Sequence, residues 1–169
     1  RLILEVLKDS GIRSVEITMN TEGALSMIRE AVERFGDSLS IGAGTVLTME
    51  QLQDVVAAGA DFVLSPVMFT REMLGYCQER KVIAVPAAFT PSEIYTQLTW
   101  GADIVKVFPA VTVGPSYFRQ LAGPLGALPL MAVGGVNAEN AQEFIKCGCP
   151  YLGVGSGMFR RADVSRGDA

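Results

Sequence analysis

Ser14-Val15-Glu16-Ile17-Thr18, followed by Leu25, Ile28, Val32 and Phe35 at spacings of three and four and then by Gly36, decides the fold. A short β-branched run with period two reads as a strand, and the apolar spacing behind it reads as an amphipathic helix ending at a glycine. The unit recurs. Apolar runs start near Ser14, Leu39, Asp61, Val82, Asp103, Pro129 and Tyr151, about every 21 to 26 residues. Thr48 with Gln51, and Thr90 with Pro91 and Glu93, carry the hydroxyl cap followed three residues later by Gln or Glu, so each opens a helix. Gly59, Gly101, Gly123 and Gly148 lie at or near the ends of helical stretches.

Alternating units with no linker or low-complexity tract predict one α/β domain over residues 1–169. A doubly wound sheet is possible, but evenly spaced right-handed crossovers fit a (β/α)8 TIM barrel better. Seven strands are counted. The chain opens at Arg1 in what reads as a helix and stops at Ala169 soon after the last strand. The expectation is a barrel lacking its first strand and most of its last helix, a fragment of a longer chain.

Composition narrows the function. Of 169 residues, 49% are hydrophobic and 19% charged, enough apolar material for a substantial core. Fourteen Lys and Arg against eighteen Asp and Glu give a net charge of −4, with no basic run to follow a phosphate backbone, so no nucleic-acid partner is expected. No apolar stretch reaches the ~20 residues a membrane helix needs, and three cysteines make no disulfide framework. A cytoplasmic enzyme or binding domain is the default. The absence of histidine removes imidazole acid-base chemistry and His-bearing zinc sites, leaving carboxylates, lysines, hydroxyls or water to move protons.

In a parallel barrel the carboxyl ends of the strands hold the site. Strand alternation puts Lys106 on the face of Ile104 and Phe108, pointing inward. Burial disfavours its charged form and prepares the amine to attack a carbonyl; otherwise it snorkels to the mouth or sits in an idle ion pair. Glu16 shares a face with Ser14 and Thr18 and brings a second charge inward. A buried pair contributes doubtful net stability, which favours a functional reading with Glu16 as general acid-base. Asp61 and Asp103 begin strands, at the opposite rim.

In Gly42-Ala43-Gly44-Thr45 the glycines permit close approach by a ligand, and Thr45 offers a hydroxyl and an N–H to a carboxylate or merely forms a turn. Pro66 and Phe108 become apolar walls if a ligand binds. Val133-Gly134-Gly135-Val136-Asn137 and Gly153-Val154-Gly155-Ser156-Gly157 are glycine-rich ends of consecutive strands, where barrels bind phosphate. The spacing makes no dinucleotide fingerprint, and Cys147-Gly148-Cys149 lacks a second ligand pair, so no metal is expected.

Val15-Glu16-Ile17-Thr18, Gly42 to Leu47, Ser65-Pro66, Lys106-Val107-Phe108-Pro109-Ala110, Gly134-Gly135 and Gly155-Ser156 together resemble the 2-keto-3-deoxy-6-phosphogluconate aldolase family, over essentially the whole chain. That family includes the 2-keto-3-deoxy-6-phosphogalactonate and 4-hydroxy-2-oxoglutarate aldolases, class I lyases on trimeric barrels. The resemblance implies a homotrimer that cleaves a phosphorylated keto acid to pyruvate and glyceraldehyde 3-phosphate. Lys106 would be its Schiff-base lysine and Glu16 its acid-base; Thr45 would bind the carboxylate, Pro66 and Phe108 line the pyruvyl pocket, and Gly134, Gly135, Gly155 and Ser156 hold the phosphate. The imine serves as electron sink, so neither metal nor organic cofactor is needed.

Two departures bear on the substrate. Asn20 stands where phosphogluconate-type members often carry a carboxylate-contacting arginine, and Val133 stands where a hydroxyl residue often precedes the Gly-Gly pair. Asn20 leans the reading towards galactonate. The rivals are a 4-hydroxy-2-oxoglutarate aldolase and a phosphate-binding barrel isomerase or synthase in which Lys106 only neutralises charge.

Overall fold

A computed structural model describes residues 2–155 and 158. The chain order is α1 (Leu2–Asp9), β1 (Ser14–Thr18), α2 (Ala24–Phe35), β2 (Ser40–Gly44), α3 (Met49–Ala57), β3 (Phe62–Leu64), α4 (Arg71–Arg80), β4 (Ile83–Val85), β5 (Ala87–Ala88), α5 (Pro91–Thr99), β6 (Val105–Val107), α6 (Ala110–Val113), α7 (Ser116–Leu125), β7 (Leu130–Val133), α8 (Ala141–Lys146) and β8 (Tyr151–Gly153). All pairings are parallel, in the orders β1-β2-β3-β4 and β5-β6-β7-β8. The architecture is of TIM-barrel type.

The expected helix starts are present. Thr48 accepts the Gln51 N–H at 3.2 Å, and Thr90 and Glu93 form a reciprocal capping box with Pro91 in the first turn. Gly36 does end α2, but with φ −57°, in the right-handed region rather than the left-handed turn a terminal glycine usually supplies. Gly123 lies inside α7, which ends instead at Gly126.

The seven expected strand runs become eight segments because the fourth breaks at Pro86. Proline has no N–H for the ladder. On either side the Val85 carbonyl accepts the Ser65 N–H at 3.2 Å and the Ala87 N–H goes to Val67 O at 3.0 Å. The Pro86 carbonyl accepts the Lys106 N–H at 2.8 Å, so hydrogen bonds carry the wall across the break to β6. Among the described residues no ladder joins β1 to β8; each is the outer strand of its sheet.

The core lies between strands and helices. Ile41, Ala43, Val63, Ala84, Val105, Val107 and Ala132 turn outward to meet Ile28, Leu52, Val55, Leu74, Ile94 and Phe144 from the helices, and all are buried. Burying each large aliphatic side chain contributes roughly 1.5–3 kcal/mol. The apolar strand sequences predict parallel strands covered on both faces. The inner face is less closed, for Ile83 and Tyr151 remain exposed there. Asp61 and Asp103 hold the amino-terminal rim, their carboxylates accepting the N–H groups of Ile41 at 2.9 Å and Ala84 at 2.8 Å. Cys77, Cys147 and Cys149 are buried and unpaired; burial pushes the thiols of Cys77 and Cys149 up to about 11, which keeps them unreactive. Among the described residues no helix is long and apolar enough to cross a membrane, and no cluster of three metal-ligating side chains occurs.

Candidate active site

The register sets the inner wall. Glu16 pairs with Gly42 and Thr18 with Gly44 across β1 and β2, while Ala87 and Met131 flank Lys106 across β5, β6 and β7. With period-two alternation, Glu16 and Lys106 both face inward from opposite halves of the wall. Lys106 is 6% exposed, and its Nζ sits 4.9 Å above the Phe108 ring centroid, a cation–π contact. Among the described residues no carboxylate forms an ion-pair contact with that ammonium; the only such contacts are those of Arg34 with Glu5 and Glu30.

The electrostatics follow from this placement. Desolvation dominates at Lys106 and pulls its pKa below the ordinary lysine value, while the Glu16 charge pulls weakly upward. Glu16 is exposed to solvent on the inner face of the edge strand β1; the protein packed around it still raises its carboxyl above the usual carboxylate value, against the smaller pull of Lys106. Both groups are therefore moved towards neutrality, and each is held back by the other.

The glycines of Gly42-Ala43-Gly44 have a different use from the one expected. The Phe62 ring fills the space where a Gly42 side chain would stand, and the Glu16 carboxylate fills that of Gly44: a Cβ there would lie 2.5 Å from Glu16 Oε2 and 3.0 Å from Thr18 Cγ2. At both positions a neighbouring side chain stands over the glycine. Thr45 follows with φ 58°, a left-handed conformation rare for a β-branched residue and a mark of local strain at the mouth.

The other expected residues occupy the carboxyl rim. Asn20 is exposed in the turn after β1, which is tied to β2 by the Met19 N–H on Gly44 O at 2.8 Å. Pro66 is half-buried after β3, and Phe108 follows β6. Gly134 and Gly135 both have positive φ, 91° and 77°, and pack on the turn after β6: a Cβ at Gly135 would lie 2.5 Å from Val111 Cγ1, and one at Gly134 3.1 Å from the Phe108 ring. The Gly134 carbonyl takes the Val111 N–H and the Gly135 carbonyl the Asn140 side chain. Gly155 is exposed beyond β8; Ser156 lies outside the described residues.

Sequence reasoning passed over Gln97 and gave Ser65, quoted beside Pro66, no role of its own. With Lys106 they are the buried polar side chains of the described residues. Gln97 accepts the Phe69 N–H and donates to the Phe69 carbonyl, both at 3.0 Å, and Ser65 Oγ accepts the Val67 N–H at 3.1 Å. The signal was available: Gln97 falls three residues after Ile94 on the apolar face of α5. A shallow recess of about 700 Å³ opens at the opposite rim, lined in part by Ser38, Ser40, Asp61, Arg80 and Lys81. Its Asp61 is committed to Ile41 and its Arg80 to the Tyr76 ring.

The family described as KDPG and KHG aldolase matches residues 2–169, and the chain belongs to that family. It is an aldolase, an enzyme that cleaves 2-keto-3-deoxy sugar acids. It is 34% identical over 156 residues to the 2-dehydro-3-deoxy-6-phosphogalactonate aldolase of Escherichia coli K12, covering 90% of this chain and 74% of that one. It is equally 34% identical over 167 residues to the 2-dehydro-3-deoxy-phosphogluconate aldolase of Treponema pallidum, covering 98% and 79%. Among solved structures it superposes with a TM-score of 0.84 on the Legionella pneumophila KDPG aldolase holding pyruvate as a covalent carbinolamine, at 29% identity over 98% of this chain and 82% of that one.

Proposed function

We propose that the chain cleaves a 2-keto-3-deoxy-6-phospho sugar acid to pyruvate and glyceraldehyde 3-phosphate through an imine on Lys106. The observation that carries this reading is the desolvated Lys106 amine, without an ion-pair contact, facing Glu16 across the mouth. The neutral amine adds to the C2 ketone and the carbinolamine loses water. With the imine protonated, Glu16, directly or through one water, takes the C4 hydroxyl proton; the C3–C4 bond breaks, its electron pair moves towards the iminium to leave an enamine, and the aldehyde departs. Protonation at C3 and hydrolysis release pyruvate and restore Lys106.

Thr45 would hold the keto-acid carboxylate, with Pro66 and Phe108 enclosing the pyruvyl carbons. The turns at Gly134, Gly135 and Gly155, with Ser156, would hold the phosphate. Asn20 stands where members resembling the phosphogalactonate enzyme also carry asparagine, which favours the galactonate over the gluconate isomer as substrate. Three free cysteines suit a reducing cytoplasm, and the family resemblance suggests a homotrimer.

A second reading, 4-hydroxy-2-oxoglutarate as substrate, draws support from one observation: packing against Phe108 and Val111 already explains why positions 134 and 135 are glycine. Two measurements test these readings. Borohydride reduction in the presence of pyruvate should label Lys106 and not Lys8, Lys81 or Lys146; label elsewhere, or an active enzyme with none, overturns the imine. Equal kcat/KM on phosphorylated and unphosphorylated keto acids overturns the phosphate site.

A further inference from the structure

We infer that Gln97 is a positioning residue for the aldol cleavage, holding the Ser65–Phe69 loop so that Pro66 stands as a wall of the keto-acid pocket. The inference rests on the pyruvyl pocket proposed above. Of the buried polar side chains in the described residues, one is Lys106 and the other two, Gln97 and Ser65, both spend their hydrogen bonds on this loop. Gln97 reaches it from α5, 28 residues away in sequence, and satisfies both backbone groups of Phe69 in the manner of a strand neighbour. Phe69 is itself buried, so without the amide its N–H and carbonyl would have no water to turn to. The loop must then shift to find partners, and Pro66 lies within it.

The same loop is tied to the strand beside Lys106. Val67 O accepts the Ala87 N–H at 3.0 Å, Ala87 is the ladder partner of Lys106, and the Lys106 N–H bonds to Pro86 O at 2.8 Å. A clamp that served stability alone would bear on any buried loop. This one bears on the segment that joins a pocket wall to the backbone of the reacting lysine.

Two variants test it, read by the pyruvate concentration dependence of borohydride trapping. Gln97→Met keeps the bulk and removes both bonds. Half-saturation should rise roughly tenfold or more, because small misplacements at a site are costly, while the trapping rate at saturation changes much less. A purely structural residue would lower the melting temperature and leave half-saturation unchanged in the folded enzyme; that result overturns the inference. Gln97→Glu covers the case in which the methionine variant does not fold. A protonated carboxyl can both accept from and donate to Phe69, whereas a carboxylate can only accept. Its half-saturation relative to wild type at the same pH should be near one in acid and should rise with pH. A pH-independent ratio overturns the inference. Wild-type protein that traps no pyruvate on Lys106 overturns the pocket assignment itself, and the role of Gln97 with it.

Discussion

The carboxylate of Glu16 occupies the volume that a side chain at Gly44 would need, its Oε2 lying 2.5 Å from the position of a Cβ there. The proposed acid-base group thus uses space left open by the absence of a methyl group on the neighbouring strand. Gly44→Ala should push the carboxylate off its position. General acid-base catalysis is worth about 10²–10⁴-fold, and displacement should forfeit at least about tenfold of it in kcat. Labelling of Lys106 by pyruvate should persist. A folded variant with wild-type turnover would show that Glu16 does not act from this position.

The mutual restraint of Lys106 and Glu16 has a definite sign. Lys106 is pulled below the ordinary lysine value of about 10.4, so pyruvate trapping should increase with pH and level off below that value. Glu16 is the charge that holds the lysine up, and Glu16→Gln removes it. The midpoint of trapping should therefore move to lower pH. Deuterium exchange into the pyruvate methyl group should slow in the same variant. A midpoint moved upward contradicts the assignment.

Thr45 adopts φ 58° at a cost of roughly 1–3 kcal/mol for a residue of its type. Thr45→Gly relieves that strain but gives the unfolded chain more freedom, worth about 0.5–1 kcal/mol. The net expectation, from urea denaturation, is a protein more stable by about 1 kcal/mol. With the hydroxyl gone, KM for the keto acid should rise about tenfold, equivalent to ~1.4 kcal/mol. A less stable variant removes the strain argument, and an unchanged KM removes Thr45 from the carboxylate site.

Gly135 faces Val111 with φ 77°. Gly135→Ala adds both a contact at 2.5 Å from Val111 Cγ1 and a backbone penalty, for a loss of at least about 1–3 kcal/mol. Val111→Ala in the same chain should return part of it, since the two sites share that contact. Additive effects in a double-mutant cycle would mean that the backbone conformation alone demands glycine.

The parts of this architecture visible in the sequence are those set by local rules. The seven strand starts followed from apolar runs, the α3 and α5 starts from Thr48 and Thr90, and the inward directions of Glu16 and Lys106 from strand alternation. What the sequence concealed depends on residues distant along the chain. Gly42 and Gly44 look like a ligand-binding turn until Phe62 and Glu16 are placed over them. Gln97 looks like an ordinary helix residue until Phe69 meets it. Thr45 runs against its own backbone preference, so no propensity argument reaches its conformation. Pro86 was visible, but its effect on the ladder required knowing that Val67 and Lys106 take up the strand's bonds on either side.

That proline also divides the chemistry. Glu16 belongs to the four-stranded sheet before it and Lys106 to the four-stranded sheet after it. A polypeptide cut at this point yields one piece with the proposed proton carrier and another with the proposed imine-forming amine, and neither piece holds both. Reconstitution from the two fragments would make catalysis a direct report of their reunion, with imine formation tracking one piece and carbon–carbon cleavage requiring the pair.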